Sequence, residues 1–112
     1  MRSVERKKNF GEVFTPAPLV EEMLDKLPEE AWEDGKTFCD PAAGNGNFLV
    51  AVLQRKINKG HTKLNTVYGV DIMKDNIKEC IERLNKLYTY DWSKNIKRAD
   101  SLKFDWENGF EI

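Results

Sequence analysis

Little in this sequence is of the kind that builds metal centres, disulfide frameworks or membrane spans. Two cysteines and one histidine are spread over 112 residues, and Cys39 and Cys80 stand far apart with no Cys-x-x-Cys spacing. A disulfide scaffold and the common zinc arrangements are thereby excluded, and both thiols read as buried and reduced. His61 sits alone in a Lys/Gly loop. No run approaches the roughly 20 apolar residues of a membrane span, and the start through Lys8 is not followed by an apolar signal region. The expected setting is cytoplasmic, with neither a membrane nor a metal among the partners. A charge excess is missing too: the formal net charge is -1, unlike a dedicated nucleic-acid binder with a basic face. Arg2, Arg6, Lys7 and Lys8 either steer phosphates or form a solvated, flexible basic arm over residues 1–10.

What the chain does have, 40% hydrophobic and 33% charged residues, suffices for one modest core, and 1–112 reads as a single domain. Thr15 is placed to cap a first helix, Pro16 suits its first turn, and Leu19, Val20, Met23, Leu24 and Leu27 form one apolar stripe ahead of Pro28. Lys36 to Asp40 reads as a short buried strand ending at Pro41. After the turn Ala42-Ala43-Gly44-Asn45-Gly46-Asn47, the residues Phe48, Leu49, Val52, Leu53 and Ile57 repeat at helical spacing as far as Gly60. Thr66 to Ile72 is a second strand, followed by a helix from about Asp75 with Ile77, Cys80, Ile81, Leu84 and Leu87 inward. Beyond a polar loop containing Trp92, Ile96 to Asp100 reads as a third, more polar strand suited to a sheet edge. Parallel neighbours need a long return connection, which the helices supply. The expected fold is therefore α/β: three parallel strands in the order 3-2-1, helices packed on the faces, and Phe110-Glu111-Ile112 opening a fourth strand beside the first.

In such sheets a ligand lies across the carboxyl ends of the strands, and an acid stands at each one: Asp40, Asp71 and Asp100. Gly44 and Gly46 remove side chains that would keep the backbone away from a ligand. A dinucleotide fails on two details. Leu49 stands where the third glycine of Gly-x-Gly-x-x-Gly belongs, and Asp40 just ahead of the loop would repel a pyrophosphate. Asp40 is instead placed to attract an ammonium group, such as that on the methionine part of S-adenosylmethionine. Asp71 can then accept from two ribose hydroxyls, and Ile72 offers an apolar face to adenine. Asp100 can accept from the adenine amino group, with the backbone of Ser101 or the side chain of Leu102 completing the slot. Each acid alone also suits a helix cap or a turn; three in phase point to one ligand. A metal does not fit these carboxylates, which arise on separate strands with no histidine to join them.

The run Asp40-Pro41-Ala42-Ala43-Gly44-Asn45-Gly46-Asn47-Phe48-Leu49 resembles the cofactor-binding DPAxGxGxFL motif of the adenine-amino DNA methyltransferases of restriction-modification systems and phages. Gly11-Glu12-Val13-Phe14-Thr15-Pro16 is similar to the GxxxTP segment ahead of their first helix, and Tyr68 to Ile72 and Ala99 to Leu102 resemble their second- and third-strand motifs. The resemblance implies a Rossmann-like methyltransferase fold, present in part, with S-adenosylmethionine as cofactor. It implies contacts from Phe14 and Thr15 to the methionine end, and from Pro41, Ala42, Asn47 and Phe48 within the motif. It also implies methyl transfer to an exocyclic amine of a base that leaves the duplex.

The family's catalytic tetrapeptide, Asp or Asn followed by Pro-Pro and Tyr or Phe, is not among these residues, which contain no Pro-Pro. No catalytic residue is therefore assigned, and whether this chain is itself an enzyme stays open. Three readings remain. The chain is a fragment or subunit of a DNA adenine methyltransferase that holds cofactor without turning over alone, meeting DNA through a separate carboxy-terminal half. Or it is a stand-alone, phage-type module that binds cofactor or a protein. Or the parent enzyme methylates RNA or protein. With so little sheet, the first strand is expected to pair with a second copy or a partner chain.

Overall fold

The computed structural model describes residues 15–111; the basic arm, Gly11 to Phe14 and Ile112 lie outside them. The alternating local signals become alternating elements: α1 (Ala17–Asp25), β1 (Phe38–Asp40), α2 (Asn47–Asn58), β2 (Val67–Asp71), α3 (Lys74–Leu87) and β3 (Ile96–Arg98). Short 3-10 turns occupy Glu29–Trp32, Trp92–Lys94 and Gly109–Glu111. The strands form a parallel sheet with β2 central, which is the expected order.

Phe38 pairs with Val67, Asp40 with Gly69, Gly69 with Ile96 and Asp71 with Arg98. Because side chains alternate along a strand, all of these lie on one face, and Cys39, Tyr68, Val70 and Lys97 lie on the other. Helices α2 and α3 pack against each other and against the first face. Among the described residues the expected flanking helices of the sheet thus lie on one face. Both crossovers advance the same way along the sheet, so crossovers of one hand put both helices on one side.

Leu49, Val52 and Leu53 of α2, Val67 of β2, Cys80 and Leu84 of α3, and Trp92 are wholly inaccessible and form one cluster. Each such aliphatic side chain contributes about 1.5–3 kcal/mol of hydrophobic stabilisation. The α1 stripe is narrower than expected: Val20 and Leu24 are buried, while Leu19, Met23 and Leu27 are exposed, because α1 leans chiefly on α2. Arg55 of α2 holds it there through Glu21 and Asp25, both at 2.7 Å. Thr15 does not cap this helix. Pro16 occupies the cap position and its carbonyl accepts the N–H groups of Leu19 and Val20.

Several residues behave differently from their sequence context. Trp92, expected in a polar loop, is fully buried; its indole N–H donates to the Tyr88 carbonyl at 3.0 Å, so the ring is desolvated without stranding its donor. Lys56 is equally buried, donating to the Lys36 carbonyl at 2.8 Å with its ammonium over the Phe38 ring, and burial lowers its pKa. Cys80 is buried as expected, which pushes its thiol up to about 12. Cys39 is not: it is exposed, because it points to the face that carries no helix. Both thiols are free.

The tail also departs from expectation. Instead of opening a fourth strand, Gly109–Glu111 is a 3-10 turn. Phe110 sits 5.0 Å from Tyr68 and 4.9 Å from Phe104, ring centre to ring centre. In a strand beside β1 it would forgo these rings; folded back, the aromatic tail screens the open face over the central strand. Among the described residues, the outer edge of β1 stays unpaired.

Candidate cofactor cleft at the carboxyl edge of the sheet

Where β1 ends, the chain turns through a loop whose backbone only glycine accommodates easily. Gly44 and Gly46 have φ of 56° and 95°, in the left-handed region. Their roles differ. The Gly44 N–H points at a carboxylate, donating to Asp71 Oδ1 at 3.1 Å. Gly46 faces α3: a Cβ there would lie 2.9 Å from Cys80 Sγ, so this glycine lets the loop seat closely on that helix.

Asp40 and Asp71 end adjacent strands on the helix-bearing face. Asp40 Oδ1 accepts from its own turn, the Ala42 N–H at 3.0 Å. Burial raises its pKa above the ordinary carboxylate value; the Ala42 N–H opposes this and the Asp71 charge adds to it. Asp71 is more heavily engaged, with Oδ2 accepting from the Met73 N–H at 2.9 Å and the Asn76 amide at 3.0 Å. A carboxylate has about four acceptor positions. With Gly44 included, three of those on Asp71 are taken inside the chain.

Thr15, Asp40, Ala42, Gly44, Asn47 and Phe48 line one small hollow together with Ala43 and Asn45. Its cavity volume is about 30 Å3. Six of the residues expected from sequence are thus brought together, with Asp71 joined to them through Gly44. Pro41 forms the exposed turn beside them, and Ile72 is 48% exposed next to Asp71. Phe14 lies outside the described residues.

The third acid is placed differently. Strand β3 stops at Arg98, so Asp100 is not at its end but in the following turn, where Oδ1 accepts the Leu102 N–H at 3.0 Å. It lines a separate hollow with Lys97, Arg98 and Lys103. The Ser101 carbonyl accepts from Trp106, and Leu102 is 93% exposed.

Sequence reading passed over the side of α3 that builds the cleft. Asn76 reaches Asp71, Cys80 underlies Gly46, and Arg83 donates to the Asn45 carbonyl and to Asn47 Oδ1. Positions 76, 80 and 83 follow the i, i+4, i+7 spacing of one helix face. Polar residues flanking an apolar Cys80 at that spacing were the available signal. Asn45, between the two glycines, was also passed over; its Oδ1 is buried and has no hydrogen-bond partner among the described residues. No cluster able to hold a metal ion occurs among the described residues.

A parallel α/β sheet with a glycine loop and paired acids at its carboxyl edge is the frame of a methyltransferase domain. Comparison with known proteins gives the family: the chain matches the N-6 DNA methylase family over residues 1–111, and it belongs to that family. It is 33% identical over 101 residues, 90% of its own length, to the Type II methyltransferase M.VspI of Vibrio sp. (strain 343), and spans 23% of that protein.

Proposed function

We propose that this chain binds S-adenosylmethionine for methyl transfer to the amino group of adenine in DNA. The observation that carries it is the juxtaposition of Asp40 and Asp71 around Gly44 on one face of the sheet. The donor set fits such a cofactor. Its amino-acid end presents an ammonium group, and Asp40 together with the unpartnered, buried Asn45 Oδ1 offers acceptors for it. Asp71 retains about one free acceptor position, enough for one ribose hydroxyl, and the exposed Ile72 is an apolar surface for adenine. When bound, the cofactor supplies a methyl group on a cationic sulfur, and the chain's part is to hold and orient it. Asp100, Ser101 and Leu102 complete the adenine end only if their turn closes toward Ile72.

The family match supports DNA as acceptor; base extrusion would cost a few kcal/mol that other contacts must offset. These 112 residues contain no Pro-Pro, so the chain by itself is expected to bind cofactor without transferring methyl. Calorimetric titration with S-adenosylmethionine, followed by a transfer assay on unmethylated DNA, tests both halves of that statement. Asp71's internal bonds favour a second reading, a binding module in which that acid only braces the loop. Absence of cofactor binding would select it.

The raised Asp40 pKa adds a pH signature. Protonation removes the charge facing the cofactor's ammonium, so affinity should fall on acidification, starting above the ordinary carboxylate range. The effect on stability has the opposite sign. A raised acid pKa means that the folded state holds the proton more tightly, so Asp40's contribution grows as pH falls through that window. Titrations at descending pH on the wild type and Asp40→Asn check this; an affinity that tracks pH equally in both would remove Asp40 from the site.

The free edge of β1 is proposed to pair with a second copy or a partner chain, since unpaired strand groups recruit such contacts. Sedimentation at micromolar concentration should show association. A compact monomer that binds cofactor would contradict it.

A further inference from the structure

Resting on that cofactor reading, we infer that Arg83 is a positioning residue that sets the amino-acid end of the cleft through Asn47. Arg83 projects from α3 and does not line the hollow, yet three of its walls converge on it. Its Nη1 donates to the Asn45 carbonyl at 2.9 Å and to Asn47 Oδ1 at 2.8 Å, and Asn47 Nδ2 donates in turn to the Thr15 carbonyl at 3.0 Å. A guanidinium can only donate, so the Asn47 atom facing it must be oxygen, which turns the amide N–H groups toward Thr15. One side chain thereby fixes the glycine loop, the first residue of α2 and the segment ahead of α1. Thr15 and Arg83 are far in sequence from the loop they meet, and among the described residues no backbone hydrogen bond ties Thr15 to that loop.

Arg83 Nη1 is committed to two acceptors inside the chain, and the residue does not line the hollow, so its part is to hold those acceptors in place. The cofactor's amino-acid end carries a carboxylate as well as an ammonium, so lost geometry is told from a lost charge contact by a variant that keeps Arg83 and breaks the relay beyond it.

Calorimetry on the full chain is the test, with two probes: S-adenosylmethionine, and 5'-methylthioadenosine, which has the nucleoside but no amino-acid end. Arg83→Ala should weaken the first about tenfold, as expected for loss of charge-assisted hydrogen bonds that hold a site, and leave the second nearly unchanged. Arg83→Lys should recover only part, since an ammonium lacks the planar fork. Asn47→Asp keeps the acceptor for Arg83 and loses the donor to Thr15; it should reproduce the selective loss in a chain that keeps its charged partner. Arg83→Ala combined with Asn47→Ala should bind no worse than the weaker single variant, because one relay is removed either way. Unchanged affinity in Arg83→Ala would overturn the inference, as would equal losses for both probes that follow the melting temperature. Failure of the wild-type chain to bind S-adenosylmethionine would overturn the cofactor reading and this inference with it, a result distinct from both.

Discussion

Asp71→Ala is expected to weaken S-adenosylmethionine binding by roughly 30- to 150-fold, equivalent to about 2–3 kcal/mol. Two losses combine. The proposed acceptor for a ribose hydroxyl disappears, and the Gly44 N–H, held at 3.1 Å by Asp71 Oδ1, is released, so the loop that faces the cofactor's other end is freed as well. The Asn76 amide, buried and donating to Oδ2 at 3.0 Å, would be left without that acceptor. Asp71→Asn separates the contributions. Its single oxygen can serve either Gly44 or the Met73 and Asn76 donors, while its amide group presents donors to donors. It should therefore bind weakly too, though it preserves shape. Calorimetric titration of both variants is the measurement. Wild-type affinity in Asp71→Ala would mean that this acid braces the fold and touches no cofactor.

That combined effect was only half visible in the sequence. An acid at the end of a strand is legible because strand period and glycine punctuation locate the strand ends, and Asp40, Asp71 and the loop between Pro41 and Asn47 came together as their positions implied. The order of the strands was legible for the same reason, since each helix spans one crossover. What stayed hidden depends on which atoms meet once helices pack. Asn76 and Arg83 look like solvated positions on an amphipathic α3, but their face of the helix meets the Asp71 carboxylate and the glycine loop, whose polar groups draw these side chains inward. Lys56 is misplaced by any scale that assigns burial residue by residue, and Trp92 by the polar loop around it. Each is buried because one polar atom finds one carbonyl, at Tyr88 and at Lys36. Asp100 is placed otherwise than a strand-end position implied: β3 ends at Arg98, the Ala99 N–H still donates to the Asp71 carbonyl at 3.0 Å, and the acid beyond it falls in a turn, for which Asp is equally suited. Composition likewise could not say that Phe104, Trp106 and Phe110 would prefer one another and Tyr68 to a strand beside β1.

The missing third glycine of the loop motif leads to the second large effect. In the dinucleotide pattern that glycine lets the helix approach the sheet closely; here Leu49 stands in its place, and the clearance comes from the opposite partner. Gly69, at the middle of the central strand, lies under α2. A Cβ there would be 2.6 Å from Leu49 Cδ1 and 3.0 Å from Ala43 Cβ. Neither neighbour has room to yield. Leu49 is wholly buried, and Ala43 has no rotamer to change while its N–H is held by the Val70 carbonyl at 2.9 Å. Replacing Gly69 by Val brings two favourable effects, up to about 1 kcal/mol of strand preference and about 0.4–1 kcal/mol from a less flexible unfolded chain. Against them stands overpacking of a closed core, typically 1–3 kcal/mol and more where neighbours cannot move. With the first Cβ atom already under 3 Å from a buried side chain, and two further methyl groups to place, the upper end of that range applies. Gly69→Val should accordingly destabilise the fold by about 2 kcal/mol net, read as a lowered denaturant midpoint at constant slope. Leu49→Ala supplies the cross-check: the double variant should lose less than the sum of the two singles, because each removes the contact that the other suffers from. A Gly69→Val chain as stable as the wild type would show that α2 can rise off the sheet at little cost. The close seat of the glycine loop over Gly69 would then be incidental to how the cleft is formed.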